Sequence, residues 1–137
     1  MADLIITEAN TIPVAGFTFH DGTSGEDIDT GEVCYIDTAN SNVLKLAQAD
    51  GTALEATVKG IATHKSLSGQ PLRLITAGSL GFGAILTAAV EYYLSETAGK
   101  IAVRADLTSS SYVVRLGTAS TTSNLVQVID NTGVQVP

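Results

Sequence analysis

The chain has one cysteine, no tryptophan, three prolines and only seven lysines and arginines in 137 residues. Each shortage excludes something. A lone cysteine, Cys34, forbids an intrachain disulfide, so the core must hold without covalent staples. No histidine or basic residue stands beside Cys34 to draw down its pKa, and it reads as a small buried or interface hydrophobe. The seven basic residues face fourteen acidic ones, leaving a net charge of -7. Nucleic-acid binding needs clustered cations to displace the counterions of the phosphates, so contact with DNA or RNA is not expected, nor with an anionic membrane. No apolar run approaches the roughly 18 residues of a membrane-spanning helix. The opening MADLIITEAN is acidic and lacks the basic flank and long apolar stretch of a secretory signal, so synthesis and retention in a cytoplasm are expected.

What is present is hydrophobic residue, 45% of the chain, with only 15% charged. That composition excludes a disordered acidic tail. The length suits one domain able to bury its own core. The clearest local pattern is TGEVCYIDTANSNVLKL at residues 30–46. Residues 32–37 are β-branched and aromatic, residues 38–42 are turn formers, and residues 43–46 resume the apolar pattern, so the run reads as strand, turn, strand. Further strands are expected at residues 12–20, 57–63, 71–76, 90–94, 99–103, 112–118 and 125–129. Pro13 keeps the first of these from a central position. An acidic turn-rich loop fills residues 21–31, a helical turn is expected within residues 47–56, and residues 77–86 are punctuated by glycine. Nine or ten short strands with turn signals every 8–12 residues predict an all-β fold, a small antiparallel β-barrel or sandwich. Residues 1–12, with apolar Leu4, Ile5 and Ile6, form an edge strand or a short N-terminal arm. Residues 13–137 form the single β-domain.

Two strands are apolar on both sides. Val33 and Tyr35 oppose Cys34 and Ile36, and in residues 125–129 only Gln127 is polar. Cover by a second copy is the expectation, with Cys34, Ile36, Leu125 and Ile129 as interface residues. No reaction centre is evident. His20 and His64 stand in no nucleophile motif, and Ser24 in GTSGE misses the G-x-S-x-G pattern. Glu26, Asp27, Asp29 and Glu32 form the densest acidic cluster, without the ladder or terminal Glu of an EF-hand, and a solvated loop is the default reading. Without tryptophan, a sugar-stacking cleft between paired carboxylates is poorly supported. Gly78, Gly81 and Gly83 lack the lysine and helix start of a phosphate loop and read as bulges or close backbone contacts. No catalytic residue, cofactor or metal is expected.

The run at residues 30–46 also resembles the core motif of the capsid cement, or head-decoration, proteins of tailed bacteriophages. The matching residues are Gly31, Val33, Tyr35, Ile36, Asp37, Ala39, Asn40, Val43, Lys45, Leu46 and Ala47. The resemblance continues in order through VKGIA at residues 58–62, GQPLR at 69–73, GAIL at 83–86, YYLS at 92–95, GKI at 99–101, Leu116-Gly117 and the closing GVQVP. Cys34 and the acidic DIDTG at residues 27–31 depart from it. The resemblance implies a structural virion protein, not an enzyme. It would bind the outer surface of the assembled phage capsid across neighbouring major capsid protein subunits, as a homo-oligomer, a trimer in preference to a dimer. It would be made in the bacterial host cytoplasm. It further implies an N-terminal arm that contacts the capsid through Leu4, Ile5 and Ile6, mobile until bound. The net negative charge agrees with the outside of a DNA-filled shell. The rival readings are a head-fibre or tail-associated β-module and a small hydrolase.

Overall fold

Alternation of β-branched, aromatic and small residues between turn signals yields strands throughout. The computed structural model describes residues 3–6 and 11–137. It contains β1 (Ile12–Thr23), β2 (Val33–Asp37), β3 (Val43–Leu46), β4 (Val58–Ala62), β5 (Pro71–Gly81), β6 (Glu91–Leu94), β7 (Ile101–Ala102), β8 (Tyr112–Ala119) and β9 (Asn124–Gln135). The strands form one antiparallel sheet in the order β3-β2-β4-β5-β9-β8-β6-β7, with β1 paired to β5 off that path. The sheet curls into a half-barrel, so the all-β expectation holds. The helical turn expected within residues 47–56 reduces to a single turn at residues 53–56. A reciprocal pair starts it: the Thr52 N–H donates to Glu55 Oε1 at 2.9 Å and the Glu55 N–H to Thr52 Oγ1 at 3.3 Å. Gly51 and the short span leave nothing to propagate a helix.

The β2–β3 hairpin follows its sequence. Asp37 pairs with Val43, and the Asp37 carbonyl accepts from the amides of Asn40 and Asn42. Ser41 and Asn42 both take left-handed φ, 58° and 60°, which small polar residues tolerate. Lys45 closes the turn with an ion pair to Asp37 at 3.3 Å.

β5 is longer than the sequence reading allowed, because it continues through its glycines. Its residue Ile75 pairs with Ile61 on one side and Phe19 on the other, and residues 78–81 pair with β9. Gly78 has a φ of 105°, and a Cβ there would stand 2.6 Å from the Gly16 carbonyl oxygen and from Phe17 Cα. Glycine thus marks both a bulge and a close backbone approach.

Two clusters bury the apolar side chains. The main one, inside the half-barrel, includes Val33, Tyr35, Ile61, Ile75, Leu80, Phe82, Leu94, Leu116 and Leu125. The second is made of Ile28, Cys34, Leu44, Ala62, Leu72 and Leu74, with Ile36 and Leu46 against it. This second cluster corrects the expectation that another copy covers the Cys34 face. The loop of residues 24–30 folds back and lays Ile28 over it, fixed by the reciprocal amide–carbonyl pair of Ile28 and Ser66 at 2.8 and 2.9 Å. The two-sided apolar character of β2 reflects two cores within one chain.

The glycines of the β1–β5 bulge separate strain from clash. Gly16 has a φ of 62° with nothing within 4 Å of an added Cβ, so Gly16→Ala should cost about 1 kcal/mol of strain. Gly78→Ala adds a backbone clash to its strain and should cost at least about twice as much. Urea unfolding of the two variants checks the order.

Candidate functional site

The acidic loop does not assemble a cation site. Each of its carboxylates is occupied separately with the chain itself. Glu26 Oε2 accepts the Leu46 N–H at 3.0 Å, and Asp27 Oδ1 accepts the Ser68 N–H at 3.0 Å. Asp29 lies 3.9 Å from Lys65. Glu32, buried, accepts the Asp29 N–H at 2.8 Å and pairs with Lys100 at 3.0 Å. Among the described residues no group of three or more metal-ligating side chains converges. The loop is a set of staples holding Ile28 over the second core.

His64 and the Ser24–Ser66 pair are likewise engaged within the chain. His64 Nε2 accepts the Arg73 N–H at 3.2 Å, so Nδ1 carries the ring proton and donates to the Lys65 carbonyl at 3.0 Å. Ser24 is buried and donates to Ser66 Oγ at 2.7 Å, which donates on to the Pro71 carbonyl at 3.0 Å. His20 lies on β1 opposite Leu74. An open polar cleft of about 370 Å³ does lie between Asp21, His64 and Arg73. Its charges are mutually satisfied, however: the Arg73 guanidinium donates twice to Asp21, at 2.7 and 3.0 Å. That pairing holds the Asp21 carboxyl below its ordinary range. Burial, with Glu32 and Glu26 nearby, pushes the Cys34 thiol far above its ordinary range. Cys34 is therefore a packing residue and an unreactive one.

The expected interface residues fare differently. Cys34 and Leu125 are fully buried within the single chain, so neither offers a surface to a partner. The physical reason for Leu125 is strand alternation: Leu125 and Gln127 point inward, while Val126 and Val128 are exposed. Ile36 and Ile129 are half-buried, each packed against a core cluster. Ile36 also lines an apolar groove of about 240 Å³ with Leu54, Val58 and Lys59.

The N-terminal segment is partly tied down, contrary to the picture of a mobile arm. The Leu4 N–H donates to the Ile101 carbonyl at 2.9 Å, and Ser95 Oγ donates to Asp3. Leu4 and Ile6 pack on the main core. Ile6 lies against Gly31, where a Cβ would meet its Cγ2 at 2.8 Å. Only Ile5, 82% exposed, remains free as a contact. Residues 1–2 and 7–10, also expected in the arm, lie outside the described residues.

The sequence reading missed two features. One is the exposure of β1: Ile12, Val14, Phe17 and Phe19 all stand in solvent. The other is a polar tie built on Glu96, which accepts from Ser111 Oγ, from the Thr108 N–H at 2.8 Å and from Thr108 Oγ1 at 2.6 Å. The Ser111 and Thr108 bonds hold the Glu96 carboxyl below its ordinary value of 4.5. The folded chain therefore prefers the carboxylate, and this stabilisation is complete above that ordinary value and fades as pH falls through the lowered one. Glu96→Gln should cost about 1 kcal/mol at neutral pH, a small figure because the site is solvent-screened. The gap between the two proteins should narrow on acidification toward about pH 3, as read by urea midpoints across pH. No protein-family model matches this sequence, and a search of curated proteins returns no match.

Proposed function

We propose that this chain is a capsid decoration protein, a structural module that binds the outer surface of an assembled phage head and cements neighbouring major capsid protein subunits. The observation that carries the reading is the ordered series of cement-like segments, taken with what those residues do in the fold. Gly31, at a φ of 85°, turns the chain into β2. Val33 and Tyr35 enter the main core, and Asp37 and Lys45 close the hairpin. In the later segments, Leu72, Leu94, Ile101 and Leu116 are fully buried, and Gly117 lets β9 approach, with a Cβ there only 2.2 Å from the Val126 carbonyl. A motif made of such fold-determining positions supports a shared scaffold, whereas a motif of exposed polar residues would have pointed to a shared reaction. The carboxylates, serines and histidine that could have formed a reaction centre are engaged in holding loops.

A ligand of the assembled shell that does not bind free subunits stabilises the shell by linkage. Many modest contacts repeated over a lattice add up through multivalency. Shells lacking this protein should therefore assemble but release their DNA at a lower temperature than shells saturated with it. Thermal release with and without the protein measures this, and equal temperatures at full occupancy contradict the proposal.

Ile5 is the remaining contact candidate in the N-terminal segment. Its neighbours Leu4 and Ile6 are anchored on the main core, so it projects from a fixed position and needs little further ordering to bind. Ile5→Asp should leave folding stability within about 0.5 kcal/mol and weaken shell binding roughly tenfold or more. Circular dichroism melts and shell co-sedimentation read the two effects separately.

A further inference from the structure

We infer that the carboxamides of Gln127 and Asn131 form a clasp across a fork in the sheet, and that this fork opens locally while the rest of the half-barrel stays folded. The fork begins on β5. β1 occupies one edge of β5 along residues 71–81, so β4 and β9 share the other. β4 pairs there with Leu74 and Ile75, and β9 with residues 78–81. Thr76 and Ala77 have no ladder partner on that edge. β4 and β9 form no ladder with each other, so they part from β5 in different directions.

Side chains of β9 span the gap. Asn131 Oδ1 accepts the Val58 N–H at 2.9 Å, and Asn131 Nδ2 donates to the Val58 carbonyl at 3.1 Å. A carboxamide carries an acceptor and a donor, so it meets both main-chain groups of a β4 residue as a neighbouring strand would. Gln127 Nε2 donates to the Ile75 carbonyl at 2.8 Å, at the last β5 residue paired with β4. Gln127 is 1% exposed, and its Oε1 meets no donor among the described residues. A buried amide oxygen without a partner is costly. The buried half of the clasp is therefore held less firmly than a fully paired group.

The neighbouring strands are irregular at the same level. β1 shifts register three times between Pro13 and Phe19, and passes over Thr76 in pairing Thr18 with Ala77 and Phe19 with Ile75. Gly16 and Gly78 take positive φ, 62° and 105°. β9 shifts against β8 between the pairs Gly117–Gln127 and Arg115–Asp130. Bulges bend strands and interrupt ladders, and a segment held by few ladder bonds opens at lower free energy than a continuous one. Val58 also lines the apolar groove beside Ile36 and Leu54, so opening the fork reshapes that groove.

Amide hydrogen exchange read by NMR on the full chain tests this. The reference amides are Ala47 and Gly99, which donate to the carbonyls of Val33 and Ala47. In the wild-type chain the Val58 amide should be roughly tenfold or more less protected than these, with little response to low urea, as local opening requires. Asn131→Ala should speed Val58 exchange roughly tenfold further and leave the references unchanged. Gln127→Met, which removes a carboxamide bonded to Ile75 and not to Val58, should also speed Val58 relative to the references. Asn131→Ser takes the place of Asn131→Ala if that variant loses its sheet signal. Three results would each overturn the inference: a wild-type Val58 amide as protected as the references, an Asn131 variant that speeds all three equally, or a Gln127→Met chain with Val58 exchange unchanged.

Discussion

The fold depends on one seam. A curled sheet of this order has two ends, β3 and β7, that do not pair with each other. Residues 47–49 join them through the main chain. The Val33 amide donates to the Gly99 carbonyl at 2.9 Å, the Gly99 amide to Ala47 at 2.7 Å, and the Ala47 amide back to Val33 at 2.9 Å. Ala49 then donates to Ser95 and accepts from Tyr112, at 2.9 and 2.8 Å. Gly99 is required there: its φ is 76°, and a Cβ would stand 2.7 Å from Leu46. Beside it the Glu32–Lys100 pair binds the loop before β2 to the turn before β7. Ala47 and Ala49 are small enough to enter the main core while their backbone closes the half-barrel. Without this seam the core would open along one side.

Closing the barrel in this way leaves the outer side of β2, β4 and β5 to be covered by something else. The acidic loop does so with one large apolar side chain, Ile28, and carboxylates that reach backbone amides or lysines. Charge-assisted bonds of this kind tie a polar segment down over an apolar patch without asking it to become a strand. Among the described residues, β1 keeps Ile12, Val14, Phe17 and Phe19 each more than a third exposed, with Phe17 and Phe19 against each other and Arg73 over Phe19.

Much of the architecture was legible because turns and alternation are local. The β2–β3 hairpin, the edge position of the strand carrying Pro13, and the structural role of Gly78 and Gly81 all follow from residue chemistry over a few positions. The errors come from contacts distant in sequence. Cys34 and Ile36 read as a face awaiting a second copy because the loop that covers them looks like solvated acid, with only Ile28 to betray it. Leu4 and Ile6 read as a free arm because their anchors, Ile101 and Gly31, lie far along the chain. The exposure of Phe17 and Phe19 could not be read from IPVAGFTF, which alternates no differently from a strand in a core. The carboxylates near Ser24 and His64 invited a search for chemistry, and only their distances show them committed to backbone amides, lysines and Arg73.

The claim at the centre of this account is that the chain recognises an assembled lattice, not an isolated protein or a small molecule. The direct test is to compare its binding to assembled head shells with its binding to unassembled major capsid protein, at equal subunit concentration. The account predicts saturable binding to shells and none detectable to free subunits. Equal affinity for both, or no binding to shells at all, would contradict it.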